Sequence, residues 1–227
     1  MRTQTNTKKI CVLAMVAALA FILATVMRFQ VFPLVHFLRY DPKDVVLVIG
    51  GFIYGPLAII PVISGVAVLE FFGGSVNRTI FSVFSNIVAS VSFCCTAAAV
   101  YRRNRTFQGA VVGLLLAVVM GTSVMMLWNY TLVPIFTPFV TREYVASIML
   151  GGFLPFNLFK NTLNAALAML LYRHMKSALQ SVDLLPVDRN PKGRSRWVVT
   201  ALIVSGVLAA SGVIALFLFN RLWFSGA

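Results

Sequence analysis

The sequence predicts an all-α integral membrane protein, a six-transmembrane-helix bundle followed by an extra C-terminal transmembrane helix. Composition is the first ground: of 227 residues, 59% are hydrophobic and 11% charged, and mean hydropathy is +0.90, a balance that soluble domains do not have. The second is segment length, because a helix needs about 20 mainly apolar residues to cross the hydrocarbon. Residues 10–27, 45–65, 81–101, 109–134, 147–172 and 197–219 qualify. The third is the absence of the short alternating segments that build an outer-membrane barrel.

The first stretch follows Lys8 and Lys9, and its Ala18-Leu19-Ala20 resembles a signal-peptidase site. Because apolar residues continue past that triplet, a retained first helix is expected. Between Val45 and Tyr101 there is room for three crossings when 64–72 is a short helix, with breaks at Gly55-Pro56, Pro61 and Gly73-Gly74. Residues 177–196 turn polar and basic, and Pro186 and Pro191 discourage a helix there. The expected division is a membrane domain over 1–176, a basic cytoplasmic linker over 177–196, and a further helix over 197–227 with an external C-terminus.

The net charge of +13 sits in clusters flanking apolar runs. Such clusters report orientation and require no nucleic acid partner. With the N-terminus cytoplasmic, Arg102, Arg103 and Arg105 fall inside, as do Arg173, Lys176, Arg189, Lys192, Arg194 and Arg196. The external loops, 28–44, 73–80 and 134–146, carry scattered charges of both signs, among them Asp41, Asp44 and Glu143. Cys11, Cys94 and Cys95 lie in apolar segments without metal or redox spacing, and His36 and His174 are far apart. No metal site and no cofactor is expected.

Asn157, Lys160, Asn161 and Asn164 stand at i, i+3, i+4 and i+7, on one face of the sixth helix. A lysine within a spanning helix costs about 2.5–3.5 kcal/mol on insertion scales, so this face should look into the bundle or a water-accessible cavity. Pro155 suits the first turn of that helix and sets Asn157 and Lys160 near its external end. Two readings stand: the stripe holds a carbonyl-rich ligand, or the asparagines are interhelical glue and Lys160 pairs with Glu70, the acidic residue embedded in an apolar stretch. Asn129, between Trp128 and Tyr130, could grip a flat heterocycle or simply bond a neighbouring helix, and Asn86 carries the same two readings. Small residues four apart, Ala14 and Ala18, Gly51 and Gly55, Gly109 and Gly113, permit close helix packing or a docking surface.

Catalytic signatures are missing: there is no phosphate-binding loop G-x-x-x-x-G-K-[ST], no H-E-x-x-H and no G-x-S-x-G with plausible partners. The chain is expected not to be an enzyme. ATP-driven uptake would need other subunits as the motor.

Several segments resemble those of a known family. They are Phe37-Leu38-Arg39-Tyr40-Asp41-Pro42-Lys43-Asp44 leading into Val48-Ile49-Gly50-Gly51-Phe52-Ile53-Tyr54-Gly55-Pro56-Leu57, then Asn86 with Ala89-Ser90, Asn129-Tyr130 before Pro134, and Leu154-Pro155-Phe156-Asn157-Leu158-Phe159-Lys160. Together they resemble the S components of energy-coupling factor (ECF) transporters, specifically the riboflavin-binding type. The resemblance implies a six-helix S-component bundle that captures riboflavin from outside, with flavin mononucleotide as a further candidate ligand. Asn129, Asn157 and Lys160 are implied to contact the flavin, with Asn86 and Asn164 as further polar candidates. Leu38 and Tyr40 are implied to belong to the covering loop. The pyrimidine edge of the flavin has an imide N–H between two carbonyls, which an amide can match with both donor and acceptor. Ala14 and Ala18 match a family motif for docking on a transmembrane coupling subunit that carries two ATPase subunits. An S component for another vitamin, such as pantothenate or folate, and a non-transporting scaffold or sensor are the alternative readings.

Overall fold

The computed structural model describes residues 2–30, 38–73, 79–137 and 140–181. Seven α-helices run in the order α1 (Arg2–Val26), α2 (Lys43–Tyr54), α3 (Pro56–Phe72), α4 (Ile80–Arg103), α5 (Phe107–Phe136), α6 (Arg142–Ile148) and α7 (Leu154–Ser181). A π-helical segment, Met149–Phe153, links α6 to α7. The extra helix expected over 197–219 lies outside the described residues. By length and composition Thr7–Val26, Ile80–Arg103 and Phe107–Phe136 can each cross a membrane, and Pro56–Phe72 is a shorter apolar helix.

α2 is the centre of the bundle, packed against α1, α3, α4 and α7. Every residue from Lys43 to Phe52 is buried, which explains why this helix is apolar all round apart from its first turn. α4 and α5 form the most extensive helix pair, α7 closes the bundle against α5 and α2, and α1 lies against α2 and α3. The apolar core runs through Leu47, Ile59, Ile63, Phe93, Leu114 and Met169.

The region between Val45 and Tyr101 does hold three helices, α2, α3 and α4, but α3 begins at Pro56 and passes unbroken through Pro61. The division falls at Gly55, whose φ of 90° and ψ of 170° turn the chain between α2 and α3. A side chain with Cβ is strained at that φ, and Pro56 then supplies a first turn that needs no N–H donor. The glycine pairs serve packing. A Cβ on Gly51 would come within 3.1 Å of Ala98 Cβ, and one on Gly113 within 2.8 Å of the Ala97 carbonyl oxygen. Ala14 and Ala18, in contrast, are exposed on α1.

Two stretches expected as loops contain structure. Phe29–Gln30 pairs antiparallel with Arg39–Tyr40, in register Phe29 to Tyr40 and Gln30 to Arg39, so the connection before α2 is anchored at its base as a ribbon. The connection after α5 contains α6, begun by Thr141, whose hydroxyl accepts from the Tyr144 amide at 3.3 Å, and with Glu143 in the first turn. That start was readable as a capping residue with an acid at the positive helix end.

Candidate ligand-binding site

Polar residues of the ribbon and of α2, α3, α4 and α7 converge on a buried cluster at one end of the bundle. Its charged members are Arg28, Lys43 and Lys160 on one side of the ledger, and Asp41, Asp44 and Glu70 on the other. Three cations against three carboxylates leave no formal charge, the condition under which ionised groups tolerate an apolar interior.

The connections are specific. Glu70 on α3 accepts from Lys43 at 2.5 Å and from Arg28 at 2.7 Å. Lys160 Nζ lies 3.6 Å from Asp41 Oδ2 and 3.9 Å from Asp44 Oδ2. The pairing of Lys160 with Glu70 considered from sequence is therefore replaced by Asp41 and Asp44. Both aspartates belonged, by sequence, to an external loop; instead Pro42 starts α2 immediately beyond Asp41, and the chain enters the bundle before its charges are spent.

Neutral groups complete the shell. Ser90 of α4 donates to Asp44 Oδ1 at 2.5 Å, and Asn164 of α7 donates to Asp44 Oδ2 at 3.4 Å. The Tyr40 hydroxyl donates to Asn164 Oδ1 at 2.9 Å, while its ring meets Phe29 and Phe159 at centroid distances of 5.2 and 6.2 Å. Burial, together with the nearby Asp41 and Asp44 charges, pushes the Tyr40 phenol far up, so it stays a neutral donor. For the Asp41 carboxyl, burial pushes upward, yet the Lys160, Lys43 and Arg28 cations outweigh it and hold the group below the ordinary carboxylate range.

Of the residues singled out from sequence, Tyr40, Lys160 and Asn164 meet in this cluster, and Asn86 joins through a 3.3 Å bond from its amide to Glu70 Oε2. Asn164 is fully buried, with both ends of its amide engaged. Leu38 is half-buried beside the ribbon. Asn157 is buried at the π-to-α junction and donates to the Phe153 carbonyl at 2.8 Å. Asn161 donates to Thr122 of α5 at 3.2 Å.

Asn129 is different. It is 6% exposed, and its Nδ2 donor has no hydrogen-bond partner among the described residues. Its neighbour Trp128 donates to Ser85 at 2.9 Å and stacks on Phe81, whereas Tyr130 faces outward. The level of Asn129 follows from the Asn161–Thr122 bond between antiparallel helices. Asn129 stands seven residues beyond Thr122, about 10 Å along α5, and Asn157 four residues before Asn161, about 6 Å along α7 in the same direction. The two amides thus sit within roughly one helical turn of each other in height.

Asp41 Oδ1 is likewise buried without a partner among the described residues. A lone buried donor and a lone buried acceptor each cost about 1–3 kcal/mol if left unmet. Sequence reasoning had singled out Lys160 but missed that Asp41, Lys43, Asp44, Glu70 and Arg28 form one network with it. The available signal was the unusual gathering of Asp41, Lys43 and Asp44 at the edge of an apolar run.

Residues 8–172 match the family model "ECF transporter, substrate-specific component", and the chain belongs to that family. It is a multi-pass membrane protein of a transport system that associates with an energy-coupling module, and not an enzyme. The chain is 28% identical over 180 residues to the riboflavin transporter RibU of Staphylococcus aureus (strain TCH60), covering 77% of this chain and 94% of that one. It is 29% identical over 176 residues to the riboflavin transporter FmnP of Bacillus subtilis (strain 168), covering 74% and 92%. A solved structure of the S component of a bacterial ECF transporter superposes with a TM-score of 0.65 at 28% identity, covering 77% of this chain and 99% of that one.

Proposed function

We propose that this chain is the riboflavin-binding S component of an ECF importer, and that it captures the vitamin at the external end of the bundle for ATP-driven uptake. The observation that carries the reading is the Asn129 Nδ2 donor, buried and without a hydrogen-bond partner among the described residues. A site assembled for a ligand leaves directional groups unmet until the ligand arrives, whereas interhelical glue does not. Asn129, Asn157 and Lys160 supply the polar edge, which suits the alternating donor and acceptor edge of a flavin. Leu38 and Tyr40 contribute to the cover, while Asn86 and Asn164 brace the carboxylates behind it.

The transmembrane coupling subunit docks on the exposed face of α1 that carries Ala14 and Ala18, and two ATPase subunits drive the cycle. The N-terminus lies in the cytoplasm, in keeping with Arg102, Arg103 and Arg105 between α4 and α5. Titrating the purified protein with riboflavin while following flavin fluorescence tests the proposal. Saturable quenching is expected, and its absence at concentrations where the protein is folded refutes it. The same titration with flavin mononucleotide tells whether a phosphate on the ribityl chain is accepted.

A further inference from the structure

We infer that the hairpin between α4 and α5 carries a binding site for the headgroup of an anionic phospholipid. A cavity of about 580 Å³ opens there, lined by Val100, Arg103, Asn104, Gln108, Gly109 and Val112. It is remote from the polar cluster: Arg103 stands thirteen residues beyond Ser90, about 20 Å along α4, and so at the opposite end of the bundle. The inference is therefore independent of the riboflavin reading.

The lining divides by chemistry. Arg103, Asn104 and Gln108 are exposed polar groups between the apolar helices α4 and α5, with the first turn of α5 adding the partial positive charge of a helix N-terminus. A guanidinium beside amide donors suits a phosphate diester. Above them the wall turns apolar, and Val112 begins a stripe at i, i+4, i+7 and i+8 with Leu116, Val119 and Met120, exposed by 49, 45, 60 and 48%. A free phosphate would use only the lower half. A lipid uses both, with its acyl chain along the stripe.

The neighbouring arginine has another task. Its Nη1 lies 3.4 Å from where a Cβ on Gly55 would stand, so Arg102 covers the corner between α2 and α3 while Arg103 serves the cavity. Gly109 keeps the hairpin tight, since a Cβ there would overlap the Asn104 carbonyl.

Native mass spectrometry of the detergent-solubilised full chain, titrated with phosphatidylglycerol or phosphatidylcholine, tests this. Phosphatidylglycerol should be retained in preference, and Arg103→Gln should lower its occupancy about fivefold, the effect of one cation near a lipid surface. Val112→Phe fills the cavity without touching charge and should also lower occupancy. Arg142→Gln, which removes the same charge from exposed α6, should leave it unchanged. Equal retention of both lipids, equal occupancy in Arg103→Gln and the parent, or an equal loss in Arg142→Gln overturns the site. Displacement of phosphatidylglycerol by millimolar inorganic phosphate overturns the lipid assignment in favour of a soluble anion.

Discussion

Lys160 reaches across the bundle to Asp41, Nζ to Oδ2 at 3.6 Å, so the last described helix and the entrance to α2 are joined by an ion pair beneath the proposed cover. The same aspartate keeps its other oxygen free of partners among the described residues. One carboxylate thus orients the lysine and still has an acceptor to offer.

Asn129→Ala is expected to weaken riboflavin binding while leaving the fold nearly as stable. The lost donor makes no bond among the described residues, so the about 1–3 kcal/mol of a buried hydrogen bond should vanish from affinity alone. Fluorescence titration read alongside a thermal unfolding curve checks both halves, and equal affinity in the variant argues against the assignment.

Lys160→Met should be costly in both measurements. Removing the cation leaves Asp41 and Asp44 facing each other in a cluster that is no longer neutral, and breaking a buried pair costs about 3–5 kcal/mol. Adding Asp41→Asn restores neutrality. The double variant should recover stability without recovering binding, which separates a ligand contact from a structural one.

The Asp41 carboxyl is held below its ordinary range, which fixes the direction of a pH effect. A carboxylate with a depressed folded pKa stabilises the native state above its unfolded pKa, about 3.9, and that contribution is lost as pH falls through the lower folded value. Stability should therefore show no loss from Asp41 between neutral pH and about pH 5, then decline below about pH 4. In Asp41→Asn the part of this acid limb due to residue 41 should disappear. An identical limb in parent and variant would count against the ion pair.

Ala14→Trp and Ala18→Trp alter the exposed face of α1 and touch nothing in the polar cluster. Riboflavin affinity should stay unchanged in detergent, whereas uptake by vesicles containing the coupling subunit and ATPases should fall sharply. A loss of affinity instead would show that α1 shapes the binding site.

Much of the architecture was legible because its causes are local. Long apolar runs impose helices in a bilayer, where every backbone polar group must be satisfied within the segment, and Gly55-Pro56 marks a corner by its own backbone chemistry. The placing of Asn157, Lys160, Asn161 and Asn164 on one inward face followed from helical periodicity, and all four are buried.

What remained hidden depends on partners distant in sequence. Whether Lys160 met Glu70 or the aspartates was decided by how α2, α3 and α7 pack, since all three acids are compatible with a lysine in isolation. Asp41 and Asp44 looked like solvated loop charges because an acid beside a helix start reads alike whether it faces water or a buried lysine. The sequence by itself determined that this chain lives in a membrane as a helical bundle with a polar stripe. Only the tertiary structure decided which charges neutralise one another and which amide is left waiting, because Coulomb energy and hydrogen bonding in a low-dielectric interior are set by distances between segments far apart along the chain.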